Sequence, residues 1–308
     1  MGRATRESYG MALTELGKVN KKIVVLDADL SKSTKTSEFK NQFKDRFFNV
    51  GIAEQNLIGV AAGLANVGLI PFASTFAVFA TGRAFEVIRN SVCYPKANVK
   101  IAATHAGITV GEDGGSHQSI EDIALMTSLP NMTVIVPADH RETMGAIKAA
   151  ANHEGPVYIR LGRCNTEDIF NEEYEFEIGK GVQLTEGNDI AIIATGMMVY
   201  ISIKAAEELK REGINARVIN ISTIKPIDKE MILKAAKETK GIVTVEEHSI
   251  IGGLGANVAS LLSDEYPTTV KMVGIKDVFG ESGTPMELMD KYGLNVNGIK
   301  KKVYSILK

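Results

Sequence analysis

Cysteine occurs only twice, at Cys93 and Cys164, which excludes a disulfide framework and fits a reducing cytosol. Neither sign of charge is in excess: 35 lysines and arginines against 37 aspartates and glutamates leave a net charge of −2. That balance gives no electrostatic reason to expect nucleic acid or an anionic membrane as a partner. The opening residues MGRATRESYG lack the apolar core of a signal peptide. Their Met-Gly start has the form of a myristoylation site, but Thr5 and Arg6 read better as the approach to a helix. Low-complexity segments and short repeats are missing as well. A further absence raises a question: no charge falls between Leu57 and Gly82, a stretch long enough to span a membrane. It is rich in Gly, Ala, Ser and Thr, with Pro71 in its middle. A helix ending near Gly68, then a buried strand from Ile70 to Ser74, accounts for it without lipid.

What is present is a soluble-protein composition, 44% hydrophobic and 23% charged, in 308 residues, enough for two domains with separate cores. The first half alternates strand and helix patterns, the mark of a parallel α/β sheet. Lys22–Ala28 centres on an unbroken apolar run suited to a strand buried on both faces. Further strands are expected at Phe47–Gly51, Leu69–Thr75, Val99–Thr104, Thr133–Pro137 and Val157–Leu161. Helices are expected from about Ala53 to Asn66, through Phe85, Ile88 and Val92, and near Ile120–Ser128 and Arg141–Asn152. The pattern breaks in the acidic stretch Asn165–Asn188, which reads as a linker with a short strand pair. A second α/β set then runs to the end of the chain. The expected division is a first domain at 1–165, a linker at 166–188 and a second domain at 189–308.

Open parallel sheets bind ligands beyond the carboxyl ends of their strands, and the chemically informative residues gather there. Asp27 and Asp29 follow the first strand, Glu54 the second and Phe76 the third, while His105 and Arg163 follow later ones. Glu54, in GIAEQN, is a carboxylate at a strand-to-helix crossing; it suits general acid-base work, or equally a helix N-terminal glutamate favoured by the dipole. Phe76 and Phe79 could wall a flat ring by stacking, or simply pack in a core. The loop His105–His117 holds two histidines, Glu112 and Asp113 among glycines. Its histidines lack compact metal-ligand spacing, and sugar hydroxyl recognition with proton transfer suits the group better. Arg6, Ser33 and Arg163 could receive a substrate phosphate, although Arg163 could instead pair with the acidic linker. GGLG at Gly252–Gly255 lacks the full dinucleotide-binding spacing and reads as close helix–strand packing; His248 before it takes the same reading.

GIAEQN, STFAVF (Ser74–Phe79) and GEDGGSHQ (Gly111–Gln118) carry a resemblance to the transketolase superfamily, with ATR at Arg6 and LGR at Arg163 in support. The chain resembles, over nearly its whole length, the C-terminal part of transketolase carried as a separate subunit. The resemblance implies an aminopyrimidine-binding domain to about Arg163, followed by the family's C-terminal domain. It implies thiamine diphosphate as cofactor: Glu54 activates the aminopyrimidine, Phe76 and Phe79 pack on it, and Asp29 and Ile52 contact the cofactor region. His117 and Asp113 would handle the donor ketose hydroxyls; His105, Arg6, Ser33 and Arg163 would bind the acceptor's phosphate. Two departures qualify the match. Gly82 stands where many full-length relatives place a third aromatic. The GDG motif and its downstream Asn, which hold Mg²⁺ and the diphosphate in this superfamily, are absent. The resemblance therefore implies a partner chain with the diphosphate domain, a site at their interface, and pairs assembled as a cytoplasmic heterotetramer acting on sugar phosphates. Deoxyxylulose-phosphate synthase also carries GIAEQ, but that family typically has arginine where Phe79 stands and no match to His105. A non-catalytic regulatory subunit is the remaining alternative.

Overall fold

The computed structural model describes residues 2–308. In chain order its strands are β1 (Ile23–Asp27), β2 (Phe47–Asn49), β3 (Ile70–Ser74), β4 (Lys100–Ala103), β5 (Thr133–Ile135) and β6 (Val157–Arg160). They continue as β7 (Val182–Gln183), β8 (Ile190–Ala194), β9 (Ala216–Asn220), β10 (Thr223–Lys225), β11 (Ile242–Ser249) and β12 (Val270–Ile275). Two sheets result, in the orders β10-β5-β6-β4-β3-β1-β2 and β12-β11-β8-β9-β7. Both have parallel cores; only β10 and β7 pair antiparallel, each at an edge. The chain is thus the two-sheet α/β protein its alternating pattern predicts.

Burial explains the strand sequences. All five residues of β1 (IVVLD) and of β8 (IAIIA) are buried. Successive residues serve opposite faces: Ile23 and Val25 pack with Tyr9, Leu13 and Ile147, whereas Val24 and Leu26 pack with Leu57, Ile58 and Ile88. That second core does not stop at the first sheet. It takes in Ile193, Ile219, Ile232, Leu254 and Val258 from the later half of the chain, so the two sheets share apolar packing.

Three features were not legible in the sequence pattern. The helix expected through Phe85, Ile88 and Val92 forms as two π-helical turns, Phe79–Arg83 and Ile88–Cys93, around a single α-helical turn at Phe85–Val87. The wider turns carry extra residues that a 3.6-residue period does not register. The acidic linker makes no strand pair of its own: β7 adds instead to β9 of the second sheet. Finally, β10 leaves the second domain and closes the edge of the first sheet against β5. The uncharged stretch divides between the helix Glu54–Asn66 and β3, and no helix among the described residues is long and apolar enough to cross a membrane.

GGLG does pack closely. A Cβ on Gly253 would lie 2.0 Å from Glu246 Oε2. The amides of Leu254 and Gly255 donate to that buried carboxylate at 2.6 and 2.8 Å. This helix N-terminus is therefore filled by the protein's own carboxyl group.

Glu142, on the helix His140–Asn152, joins the linker and both domains. It accepts from the Ala138 amide at 2.7 Å, Tyr174 Oη at 3.0 Å and Asn220 Nδ2 at 2.7 Å, entirely out of solvent. Whichever way it turns, the amide of Glu142→Gln sets its NH₂ against an N–H that can only donate, that of Ala138 or of Asn220. It should lower unfolding free energy by about 1–3 kcal/mol, measured by urea denaturation.

Candidate active site

Because β1 to β6 run parallel, their carboxyl ends share one edge, and the segments leaving them bring most of the expected residues together. Glu54 opens its helix with its side chain 6% exposed. Its Oε1 receives Arg83 Nη1 at 3.2 Å. The Arg83 guanidinium also lies over the Phe79 ring, 4.3 Å from the centroid. Phe79 stacks with Phe76 at 5.8 Å between centroids and 14° between planes. Phe76 continues onto His105, at 3.9 Å and 24°. His117 meets both phenylalanines edge-on, 5.5 Å from Phe79 and 6.4 Å from Phe76. A carboxylate, two parallel aromatic faces and two imidazoles thus form one continuous run.

The polar end of this run is built on His105. Its φ of 57° is left-handed, an uncommon conformation for a residue with a Cβ and one often found at functional sites. Arg6 Nη1 lies 3.4 Å from His105 Nε2 and donates to the Ser33 carbonyl at 3.0 Å. Arginine can only donate, so Nε2 is the acceptor and Nδ1 carries the hydrogen toward Thr104 Oγ1 at 2.8 Å. Burial, then the charges of Arg6, Arg163 and His117, push the His105 imidazole down to about 3. The ring is therefore neutral throughout the physiological range. Arg6 Nε is buried with no hydrogen-bond partner, an unspent donor beside this neutral ring. Arg163 bonds the Val110 carbonyl and lies 3.5 and 3.8 Å from Glu112 and Asp113. It pairs within the glycine-rich loop, not with the acidic linker.

Two expected residues stand at the margin. Asp29, with φ 65°, exchanges hydrogen bonds with Asn49, its Oδ1 accepting at 2.8 Å and its amide donating at 3.1 Å. Ile52 is 77% exposed, on the approach to Glu54. Arg83 is the residue that sequence reasoning missed. Its signal was the position itself: it is the first charge after the uncharged run that begins at Leu57. The π-turn Phe79–Arg83 carries it, and its guanidinium reaches back to Glu54.

A buried carboxylate linked through Arg83 to a pair of stacked rings suits a flat, protonatable heterocycle such as an aminopyrimidine. The comparisons with known proteins agree. Residues 1–168 match the family model for the transketolase pyrimidine-binding domain, and residues 179–299 match that for the transketolase C-terminal domain. The chain belongs to the transketolase family. It is 53% identical over 99% of its length to a protein of Methanocaldococcus jannaschii named as a transketolase C-terminal section, 97% of which is covered. It is 42% identical to a 6-deoxy-6-sulfo-D-fructose transketolase subunit, SqwH, of a Clostridium species, over 98% of this chain and 94% of that one. Among solved structures, a split-gene transketolase described as an inactive beta4 tetramer superposes with a TM-score of 0.92 at 57% identity. That match covers 100% of this chain and 99% of the other. The family's cofactor is thiamine diphosphate, and Glu54 with Phe76 and Phe79 fits its aminopyrimidine half. Among the described residues, no group of three or more His, Cys, Asp or Glu is placed to hold a metal ion.

The His105 resonances should not titrate between pH 5 and 9 when followed by ¹⁵N NMR. Arg6→Met, by removing a cation, should raise the His105 pKa without restoring the ordinary value near 6.5, because burial remains. A wild-type midpoint near 6.5 would overturn the assignment of a neutral ring.

Proposed function

We propose that this chain is the C-terminal subunit of a two-chain transketolase that moves a two-carbon ketol unit from a ketose phosphate to an aldose phosphate. The observation that carries the reading is the continuous run from Glu54 through Phe79 and Phe76 to His117 and His105. When bound, thiamine diphosphate supplies the carbon nucleophile. Glu54 holds a proton at the pyrimidine ring nitrogen, a task for a single placed carboxylate, and Phe76 and Phe79 keep the ring flat against them. Any ring seated there competes with Arg83, which covers the carboxylate in the chain by itself. Asp29 and Ile52, at the exposed margin, face the cofactor region from the edge of the site.

His117 and Asp113 orient the hydroxyls of the donor sugar. Neutral His105 offers no charge of its own, so Arg6 and Arg163 provide the cations for the phosphate, beside the Ser33 segment; the unspent Arg6 Nε supports an anion there. The diphosphate and Mg²⁺ are held by a partner chain with a GDG motif, and two such pairs make a heterotetramer. The description of a split-gene relative as inactive when assembled from one kind of chain supports this need for a partner. Free Cys93 and Cys164 suit a cytoplasmic enzyme. One observation favours a second donor class: a relative is a subunit of a transketolase for a sulfonated fructose. Sulfonate and phosphate are both oxyanions that the same arginines would receive.

The test is a ketol-transfer assay with thiamine diphosphate, Mg²⁺ and ribose 5-phosphate. Xylulose 5-phosphate or 6-deoxy-6-sulfofructose serves as donor, with this chain alone and mixed with the GDG-bearing chain. Turnover is expected only in the mixture, and the better donor decides between the two classes. Glu54→Ala should lower turnover at least about a hundredfold while the complex still assembles. Undiminished turnover in that variant overturns the reading.

A further inference from the structure

The loop from His105 to His117 grows out of the first sheet, yet much of what holds it comes from the second domain. Glu247, near the end of β11, is 5% exposed, and its Oε1 accepts the Thr109 amide at 2.7 Å. Thr109 lies in the first of two 3₁₀ turns within Ile108–Asp113, which meet at a kink on Gly111 (φ 83°), so this bond fixes the turn that leads into the one ending in Asp113. On the other side of Glu247 the loop approaches through Gly107, whose φ is 81°. A Cβ there would lie 2.2 Å from the same carboxylate oxygen, so glycine is required both by the backbone and by the space.

The far end of the loop is held in the same way. Gln118, next to His117, donates to the carbonyls of Ile108 and Gly111 within the loop, and to Glu281 of the second domain at 2.9 Å. Gly280 comes so close that a Cβ on it would lie 1.8 Å from Gln118 Oε1. Just beyond, the Ser249 amide donates to the Ile120 carbonyl at 2.8 Å. Arg160, from the first sheet, donates to the carbonyls of both Ser119 and Glu247, locking the two contact regions to each other. A loop with glycines at 107, 111, 114 and 115 would otherwise sample many conformations.

We propose that Glu247, together with the Gly280–Glu281 contact on Gln118, makes the second domain the positioning element for His105, Asp113 and His117. The proposal deepens the function above, since it rests on those three side chains touching the sugar. Glu247 is a positioning residue: it touches the loop backbone, and the geometry of the imidazoles depends on that contact. Misplacing a reacting group by about 1 Å can cost on the order of a hundredfold in rate. The loss expected from removing Glu247 therefore lies mainly in turnover, not in cofactor or partner binding.

The experiment compares Glu247→Ala, Glu247→Gln and Gly280→Ala in the full chain by hydrogen exchange, and in the two-chain complex by kinetics. Both alanine variants should speed exchange of the amides between 107 and 118 by about tenfold or more, with the rest of the chain as in wild type. They should lower kcat about ten- to a hundredfold, with smaller changes in KM. Glu247→Gln keeps an oxygen for the Thr109 amide and should recover most of both. Three results would overturn the proposal: unchanged exchange in the loop, faster exchange spread evenly over the chain with no recovery in Glu247→Gln, or unchanged kcat despite faster loop exchange. If Glu247→Ala does not fold, Gly280→Ala, at a half-buried position outside the helices and strands, carries the test. An inactive wild-type complex would sink the functional reading, while the exchange comparison would still judge how the loop is held.

Discussion

A single buried guanidinium holds the seam between the two domains. Arg160, at the end of β6, places Nε 2.8 Å from Asp122 Oδ2, and its Nη2 reaches the carbonyls of Ser119 and Glu247. Three acids, Asp122, Glu246 and Glu247, lie buried around it. Burial pushes Glu246 up to about 7 and Glu247 upward as well, toward their neutral forms, against the pull of backbone amides: Leu254 and Gly255 on Glu246, Thr109 on Glu247. Burial holds His248 down to about 4, so it stays neutral, and its Nε2 accepts from the Ile123 and Ala124 amides. A buried charge tolerates few arrangements. The polar seam thus fixes how the second domain sits on the first, and with it the loop that carries both site histidines.

The same logic accounts for what sits at the other end of the site. Glu54 is nearly buried, and a buried carboxylate must be met by a donor. In the chain by itself the donor is Arg83, which also covers the Phe79 face. A planar cation is a fair imitation of a protonated aromatic heterocycle, and the site holds its shape around one.

The sheets were legible because buried parallel strands leave unbroken apolar runs, as in IVVLD and IAIIA. The expected strand edge carries the expected groups because parallel strands force their exits to one side. The π-turns were not legible, since they depart from the helical period by one residue per turn. Nor was β10: three residues, TIK, give too short a run to announce a strand, and its partner β5 is far away in sequence. The supporting part of the second domain escaped for another reason. Glu246, Glu247 and His248 read as an ordinary polar end to a strand, and only the tertiary fold shows that they face inward. The acids that meet Arg163, Glu112 and Asp113, were not legible as its partners because they reach it through the folding of the glycine-rich loop.

β10 bears on how such a protein can be divided. The edge of the first sheet is completed by residues that lie beyond the start of the second, so the first domain is not a self-sufficient module. A gene cut between them would leave β5 with an open edge, a template for unwanted pairing, and would strip Arg160 of the Glu247 carbonyl, one of its three acceptors. The pyrimidine-binding and C-terminal domains are therefore sewn together twice, by a borrowed strand at the sheet edge and by a core that both halves fill.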